Sequence, residues 1–393
     1  MTYFIGILVA ILVLLLVISL HEFGHMLVAK LFGVGVVEYA IGMGPALISK
    51  RIKDTVYSIR LIPFGGYCAM YGEESMEAGK KGQAVEEDDV GSSLVQKPKF
   101  VLFGKNTQYK TDWKESHKLL GKAWWQRLLI YLAGPFMNLL IGFVACLVMV
   151  SAFNAATVPV VTELMPNHSA EAVGVQIGDI ICGANNRQTM TWNDYTLYLT
   201  THDDVVQRDG GYYLTVFRDN ARKTFWVTRD PEDNYIGITV NQTPVEMTWD
   251  NIWLYTINDF KYMFQCVGDS FYMLGHGTAK MTDLSGVVGV TDMIAGSVEE
   301  AVEDEATESP LLGILSVFIS MLGFLAVNIG LINLIPFPAL DGGRSVMCLF
   351  EGVFRRRIPE KVEYAINMAG MSILIVLLAF TLFNDIHKIF MNF

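Results

Sequence analysis

The segment with the clearest chemistry follows an apolar stretch at 3–20, where His21, Glu22 and His25 form the pattern H-E-x-x-H. Two histidines four residues apart lie on one face of an α-helix, so both imidazoles can reach one zinc ion. The glutamate between them can accept a proton from water beside that ion. The pattern predicts zinc-dependent peptide hydrolysis. The alternative, two structural membrane histidines, is disfavoured because burying such groups in lipid is costly.

A catalytic zinc ion needs a third protein ligand, because such sites keep three side chains and one open position. We predict that Asp341 is this ligand. Its carboxylate closes the apolar helix predicted at about 311–335, after a stretch that Pro336 and Pro338 interrupt. The glycines at 342–343 allow close approach of the backbone. A helix-capping role at a membrane interface is the alternative for Asp341.

Three asparagines in apolar stretches need hydrogen-bond partners. Asn328 and Asn333 precede the predicted aspartate ligand and could bond the backbone of an unwound substrate, although helix packing explains them nearly as well. Asn138 follows the small residues at 133–135, which let a second helix approach closely. Asn138 must therefore find its partner on a neighbouring element.

The composition indicates a membrane protein. Of the 393 residues, 52% are hydrophobic and 18% are charged, and the mean hydropathy is +0.36. Five cysteines have no spacing typical of a disulfide framework or a cysteine zinc site. About 20 apolar residues are needed to cross a bilayer. Four segments meet this requirement: 3–20 extending to about 30, about 128–152, about 311–335 and about 366–384.

The distribution of charge predicts the orientation of these spans. Lys and Arg are frequent between the first two spans and between the last two, whereas 153–310 is acidic. By the positive-inside rule, the basic loops are predicted to be cytoplasmic, and 153–310 and both termini to lie outside the cytoplasm. The first span lacks a basic region before it and a small-residue cleavage pattern before His21, so we expect it to be retained.

The other segments predict a mixed architecture. Alternating, glycine-rich sequence at 39–71 predicts a small sheet beside the first helix, and 72–123 is predicted to be a solvated cytoplasmic loop. Strand-like stretches in 155–241 predict a compact α+β domain, and the aromatic, methionine-rich stretch 244–282 an interfacial amphipathic helix. The predicted divisions of the chain are 1–154, 155–241, 242–310 and 311–393.

Together these residues resemble the site-2 protease family, intramembrane zinc metalloproteases of the bacterial RseP type. Five motifs carry the resemblance over nearly the whole chain: HEFGH at 21–25, GMGP at 42–45, IPFGGY at 62–67, AGPFMN at 133–138 and the stretch from Asn333 to Gly343. The resemblance implies a membrane α-helical fold with about four transmembrane helices, a membrane-associated β-hairpin and one extracytoplasmic PDZ domain at 155–241. Larger family members have more than one PDZ domain.

The resemblance also implies Zn²⁺ as the cofactor, and a hairpin that pairs with substrate as an added strand. Such pairing has a physical logic, because a helix must be unwound before a metal can reach its peptide bonds, and an edge strand replaces the lost hydrogen bonds. The hairpin residues that we expect to bind substrate are Gly65, Gly66 and Tyr67.

The predicted activity is endoproteolysis of transmembrane segments in single-pass proteins, such as anti-sigma factors or remnant signal peptides, during regulated intramembrane proteolysis. The expected partners are these substrates and the lipid bilayer, with no nucleic acid, and the expected location is a bacterial cytoplasmic (inner) membrane. Two alternatives are a silent scaffold presenting a PDZ domain and a zinc transporter. Both are disfavoured, because the complete set of catalytic residues is present and the ionisable intramembrane groups converge on one site.

Overall fold

The computed structural model describes residues 2–72, 101–102, 113–203, 206, 209–230, 235–280, 283–284, 286–303 and 309–391. Most of the predicted cytoplasmic loop at 72–123 lies outside these residues. The chain forms two compact units, and each is described by itself. One consists of Met1–Gly142 with Ser285–Phe393, and the other is Phe143–Leu284.

Helices dominate the first unit and three further helices belong to the second. In chain order they are α1 (Thr2–Leu31), α2 (Trp124–Ala152), α3 (Ser169–Val173), α4 (Trp192–Thr201), α5 (Ile252–His276), α6 (Val287–Glu303), α7 (Pro310–Leu334), α8 (Asp341–Phe354) and α9 (Glu360–Met391). Two 3₁₀ turns, Glu115–His117 and Leu119–Gly121, precede α2. The four predicted spans are confirmed as α1, α2, α7 and most of α9, which are long and apolar enough to cross a membrane.

The sheet predicted at 39–71 is present as a long antiparallel hairpin. Its strands are β1 (Val36–Ile52) and β2 (Thr55–Met70), and the connecting turn contains Lys53 with a φ of 54°. A short third strand, β3 (Val101–Leu102), pairs with β1 at Ile48 and Ser49. Hydrogen bonds therefore run from the hairpin to a segment that follows it by thirty residues in sequence.

Both strands of the hairpin bend at glycines. Gly42 in β1 has a φ of 83° and Gly65 in β2 has a φ of 85°, a conformation that residues with a side chain rarely adopt. Because of these bends, Ala40 pairs with Ser58 on one side and with Tyr67 on the other. The second half of β2 therefore forms an edge of this sheet among the described residues.

The hairpin packs against the first membrane helix, as predicted. The hydroxyl of Tyr39 donates a hydrogen bond of 2.7 Å to the backbone oxygen of Ser19 in α1. Val36 and Tyr39 share a buried core with Met26 of α1 and Ile130 of α2. The hairpin is thereby fixed next to the turn of α1 that carries the H-E-x-x-H pattern.

The predicted segment 242–310 is divided between the two units. Its first helix, α5, belongs to the second unit, whereas α6 belongs to the first and packs on α1. Helices α1 and α6 come very close at Gly6 of α1, where an added Cβ would lie 2.5 Å from the Cα of Ala295 in α6. Ile294 is buried with Ala10 and other residues of α1. Small residues thus allow α6 to join the membrane helices.

The second unit contains an antiparallel sheet with helices. Its strands are β4 (Thr157–Leu164), β5 (Ile180–Ala184), β6 (Arg187–Gln188), β7 (Gly211–Arg218), β8 (Ala221–Thr228) and β9 (Ile238–Pro244). The strand order is β8-β7-β5-β4-β9, with β6 paired to β5. A core that includes Val161, Ile181 and Leu214 lies against this sheet. Strands and helices are therefore both present in 155–241, as the strand-like stretches predicted.

Candidate metal centre

The H-E-x-x-H residues lie in the second half of α1 and bring two imidazoles together. His21 and His25 share a face of the helix, with their Nε2 atoms 3.2 Å apart and their rings edge to face at a centroid distance of 4.9 Å. Both histidines are 6% exposed. The helical spacing thus directs two nitrogen donors to one buried point.

The Asp341 carboxylate lies at the same point although it is more than three hundred residues away in sequence. Its Oδ2 is 3.0 Å from Nε2 of His21 and 3.2 Å from Nε2 of His25. These three residues each offer one ligand atom, and the three atoms lie close enough together to share a metal ion. Among the described residues, no other group of His, Cys, Asp or Glu does so. The structure therefore brings together the three residues predicted as ligands.

The backbone before Asp341 folds differently from the prediction. Asp341 does not close α7, which ends at Leu334, but is the first residue of α8. The physical reason is that Pro336 and Pro338 cannot continue the helix. The chain then turns so tightly that a Cβ on Gly342 would lie 2.3 Å from the backbone oxygen of Ile335. This turn starts α8 with its first side chain directed at the imidazoles.

The three donor atoms fit a tetrahedral zinc ion. Zinc bonds of 2.0–2.1 Å at tetrahedral angles place neighbouring ligand atoms about 3.3 Å apart. The observed separations are 3.0, 3.2 and 3.2 Å. Two imidazole nitrogens and one carboxylate oxygen are also a donor set that catalytic zinc uses, with the fourth position left for water or substrate.

Helix α2 closes one side of this group. A Cβ added to Gly134 would lie 2.2 Å from Nε2 of His25 and 2.8 Å from Nε2 of His21. Nδ1 of His25 donates a hydrogen bond of 2.7 Å to the backbone oxygen of Ile130, and Nδ1 of His21 lies 3.2 Å from Nδ2 of Asn138. The missing side chain at Gly134 is thus required for the imidazoles to occupy their positions.

Glu22 lies beside the hairpin. The backbone N–H of Cys68 in β2 donates a hydrogen bond to the Glu22 carboxylate. A Cβ on Gly66 would lie 3.8 Å from Cγ of Glu22, so the edge of the sheet passes beside this side chain. Because Glu22 directly follows His21 in α1, the hairpin contacts the same helical turn that carries the imidazoles.

Comparison with known proteins gives the same assignment over almost the whole chain. The sequence profile of peptidase family M50 matches residues 9–377, which include every residue of the centre. The chain belongs to peptidase family M50.

Relatives of this M50 peptidase carry corresponding names. Zinc metalloprotease RasP of Shouchella clausii is 28% identical over 424 residues, which cover 95% of this chain and 96% of the relative. Regulator of sigma-W protease RasP of Bacillus subtilis is 27% identical over 422 residues, covering 94% and 96%. A putative zinc metalloprotease of Campylobacter jejuni is 26% identical over 400 residues, covering 98% and 95%.

The M50 peptidase is thus a zinc metalloprotease with four apolar helices suited to a membrane. The predicted enzyme class, the Zn²⁺ cofactor and the resemblance to the site-2 protease family are confirmed. These findings assign the activity to the chain as a whole. The roles of individual residues rest on the geometry described above.

The predicted substrate-binding residues of the M50 peptidase lie in two places. Asn328 donates a hydrogen bond of 2.7 Å to the oxygen of Phe324 within α7, and Asn333 lies one residue before the end of that helix. Tyr67 donates to Glu38 at 2.8 Å, and burial and this hydrogen bond raise the pKa of the Tyr67 phenol. Their contact with substrate remains a prediction.

Three contacts of the M50 centre were missed by the sequence analysis. The backbone groups of Ile130 and Cys68 have no signature in side-chain types, so no motif could show them. Gly134 was recognised only as a small residue for helix packing, whereas it faces the imidazoles. Asn138 did carry a signal, since a buried amide in an apolar helix needs a partner, and that partner is His21.

Proposed function

We propose that this M50 peptidase hydrolyses peptide bonds within membrane-spanning segments of other proteins. The observation that carries the proposal is the meeting of His21, His25 and Asp341 donor atoms within 3.2 Å of one another. The two histidines belong to α1, one of the helices suited to cross a membrane. A substrate that reaches this site must therefore enter the region of the apolar helices.

In this proposal the Nε2 atoms of His21 and His25 and Oδ2 of Asp341 hold the zinc ion. When bound, zinc supplies a Lewis acid that polarises a substrate carbonyl and makes water more acidic. The hydrogen bond from His25 Nδ1 to Ile130 keeps the lone pair of Nε2 directed at the ligand point. The tight turn at Pro336 and Pro338 holds Asp341 against the imidazoles.

Glu22 acts as the general base and then the general acid. Its carboxylate accepts a proton from the attacking water and passes it to the nitrogen of the departing amine, so the proton is conserved through the reaction. The N–H of Cys68 orients this carboxylate. Loss of the Glu22 charge should abolish turnover without removing a ligand atom of the metal.

The second half of β2 is the proposed binding strand for substrate. An unwound transmembrane segment would add to the edge that contains Gly65, Gly66 and Tyr67, where main-chain hydrogen bonds replace those lost from the helix. The proximity of Gly66 to Glu22 supports this position. Asn328 and Asn333 are proposed to bond the substrate backbone from α7.

The proposed topology follows the charge pattern. Basic loops face the cytoplasm, and the α+β region at 155–241, proposed as a PDZ domain, faces outside together with both termini. The exposed aromatic residues of α5 support an interfacial position for this helix. They include Trp253, Phe264 and Phe271. The proposed location is a bacterial cytoplasmic membrane.

The proposed substrates are single-pass proteins, such as anti-sigma factors shortened by another protease, or remnant signal peptides. One relative, from Bacillus subtilis, is named regulator of sigma-W protease, which supports a role in regulated intramembrane proteolysis. Helix instability rather than a short sequence motif would determine where such a substrate is cut.

The test compares Glu22→Gln with the wild type in detergent, using a single-pass transmembrane protein as substrate. We expect about one zinc per chain in both proteins and cleavage by the wild type alone. Glu246→Gln is the matched control, since Glu246 is exposed in the second unit. Cleavage by Glu22→Gln at the wild-type rate would contradict the assigned role of Glu22. Zinc-free wild-type protein that still cleaves would contradict the metal centre.

A further inference from the structure

Three residues of α2 face the imidazole pair at a spacing of four residues. Ile130, Gly134 and Asn138 lie on one face of the helix, because residues four apart are neighbours on its surface. The first offers a backbone oxygen, the second provides space and the third places an amide near His21. One helix therefore contacts both imidazoles, at their Nδ1 atoms through Ile130 and Asn138 and at their Nε2 atoms through Gly134.

The contact to His25 defines which nitrogen carries hydrogen. Nδ1 of His25 lies 2.7 Å from the oxygen of Ile130, and a carbonyl oxygen can only accept. Nδ1 is therefore protonated, and the lone pair of the neutral ring is at Nε2, next to Asp341. This is the arrangement that a metal ligand requires.

In the described part of the chain, the Nδ1 atom of His21 has no such oxygen beside it, because its neighbour on α2 is the amide nitrogen of Asn138. Nδ2 of Asn138 lies 3.2 Å from Nδ1 of His21, so two hydrogen-bearing nitrogens would face each other if His21 also presented Nε2 to a metal. Meanwhile Oδ1 of Asn138 is buried without a hydrogen-bond partner among the described residues, and the side chain is 0% exposed. An unpaired buried oxygen is costly.

A rotation of the Asn138 amide by 180° resolves both mismatches at once. The rotation exchanges Oδ1 and Nδ2, two atoms of almost the same size. Oδ1 then accepts the hydrogen of His21 Nδ1, and Nε2 of His21 is left with its lone pair directed at the ligand point. Both histidines would then have an acceptor on α2.

We propose that Asn138 is a positioning residue for His21, which selects the Nε2 lone pair as its metal ligand. The inference rests on the proposed zinc centre of His21, His25 and Asp341. The alternative is a purely structural role, in which Asn138 packs α2 against α7. A Cβ added to Gly330 of α7 would lie 3.2 Å from the Cβ of Asn138. The two roles differ in what a replacement side chain must provide.

The experiment measures zinc affinity of the full chain in detergent, by competition with a chelator, for Asn138→Leu and Asn138→Asp. Leucine has a similar size but cannot accept a hydrogen bond, so zinc affinity should fall about 10–100-fold. Aspartate offers an acceptor oxygen at the same position and should keep the affinity within about threefold of wild type. Ser372→Ala, which removes an exposed hydroxyl that donates to the backbone oxygen of Met368 in its own helix, is the control.

Thermal unfolding of the zinc-free variants separates packing from ligand positioning. Under the proposal, Asn138→Leu loses zinc affinity even where its zinc-free stability equals that of wild type. A zinc affinity of Asn138→Leu within twofold of wild type would overturn the proposal, as would Asn138→Asp binding as weakly as Asn138→Leu. Absence of zinc binding by the wild type would instead overturn the proposed zinc centre.

Discussion

The guanidinium of Arg127, near the start of α2, donates a hydrogen bond to the carboxylate of Glu351 in α8. Both residues are buried, with 4% and 9% of their surface exposed. The other oxygen of Glu351 accepts the backbone N–H of Ile358 at 3.2 Å. The ion pair therefore joins the helix behind the imidazoles to the helix that begins with Asp341.

Breaking this pair on one side should destabilise the protein strongly. Arg127→Met leaves the Glu351 charge buried without its partner, which typically costs about 3–5 kcal/mol of unfolding free energy. The double variant with Glu351→Leu should recover much of the loss, because no charge is then left unpaired. Denaturant unfolding in detergent measures both effects, with Arg356→Met at an exposed position as the control. A double variant less stable than Arg127→Met would contradict this account.

Gly134→Ala should disrupt the metal centre. The new Cβ would lie 2.2 Å from Nε2 of His25, so either an imidazole or α2 must move. We expect loss of most zinc binding and of proteolysis, measured by metal content and substrate cleavage. The matched control is Gly268→Ala in α5, where a Cβ meets nothing within 4 Å.

The same substitution has the opposite expected effect at the control position. An alanine at 268 should stabilise the helix by about 1 kcal/mol or less, because glycine is the weaker helix former. Normal zinc content in Gly134→Ala would contradict the close approach of α2 to the imidazoles, because it would show that α2 can move away from them without loss of the metal.

The stability of the second unit should decrease as pH rises. Burial, and the nearby charge of Asp194, raise the pKa of Asp259 in α5 to about 7, against an ordinary value of 3.8. The folded carboxyl therefore stays protonated at pH values where the unfolded one ionises. The contribution of this carboxyl to the free energy of unfolding is fully present below about pH 4. It is lost as pH rises towards about 7, the pKa in the folded state.

Asp259→Asn should remove this dependence. At pH 8 the variant should be more stable than wild type by about 4 kcal/mol, an order-of-magnitude value from the pKa shift. Near pH 4 the two proteins should be similar. Hydrogen exchange of 143–284 as a function of pH is the measurement, and Asp250→Asn at an exposed position is the control. An identical pH profile for wild type and Asp259→Asn would contradict the role of this carboxyl.

The start of α6 should depend on a carboxylate from α9. Oδ1 and Oδ2 of Asp385 accept the backbone N–H groups of Gly286 and Gly289, at 3.1 and 2.9 Å, and Asp385 is 3% exposed. Asp385→Ala should cost about 1–2 kcal/mol, as for lost helix caps, and increase hydrogen exchange in 286–290. Asp385→Asn keeps one acceptor oxygen, so its stability should lie between those of the wild type and Asp385→Ala. Unchanged exchange in Asp385→Ala would exclude a capping role.

Much of this protein could be predicted from local sequence. Long apolar stretches predicted α1, α2, α7 and α9, because the bilayer requires a length that short-range composition reveals. The alternation after residue 39 predicted a small sheet beside the first helix. The spacing of His21 and His25 predicted their shared face, since helical geometry depends only on residues within one turn.

Other features arise from contacts between distant segments. The sequence placed 242–310 in one segment, whereas α6 joins α1 because a glycine meets an alanine there. Asp341 begins a helix rather than ending one because Pro336 and Pro338 stop α7 at Leu334, but its position beside His21 depends on how α8 packs near α1. Neither local periodicity nor composition predicts which helix surfaces pack against each other.

The residue types and their spacing therefore predict the chemistry: two imidazoles and a carboxylate on one helical turn, a remote aspartate, and the membrane as their surroundings. The packing of distant elements sets the rest: α2 brings Ile130, Gly134 and Asn138 against those imidazoles, and the hairpin contacts Glu22 through Cys68. The physical reason is that backbone N–H and C=O groups are present at nearly every residue. Which of them reach a site depends on how the elements pack.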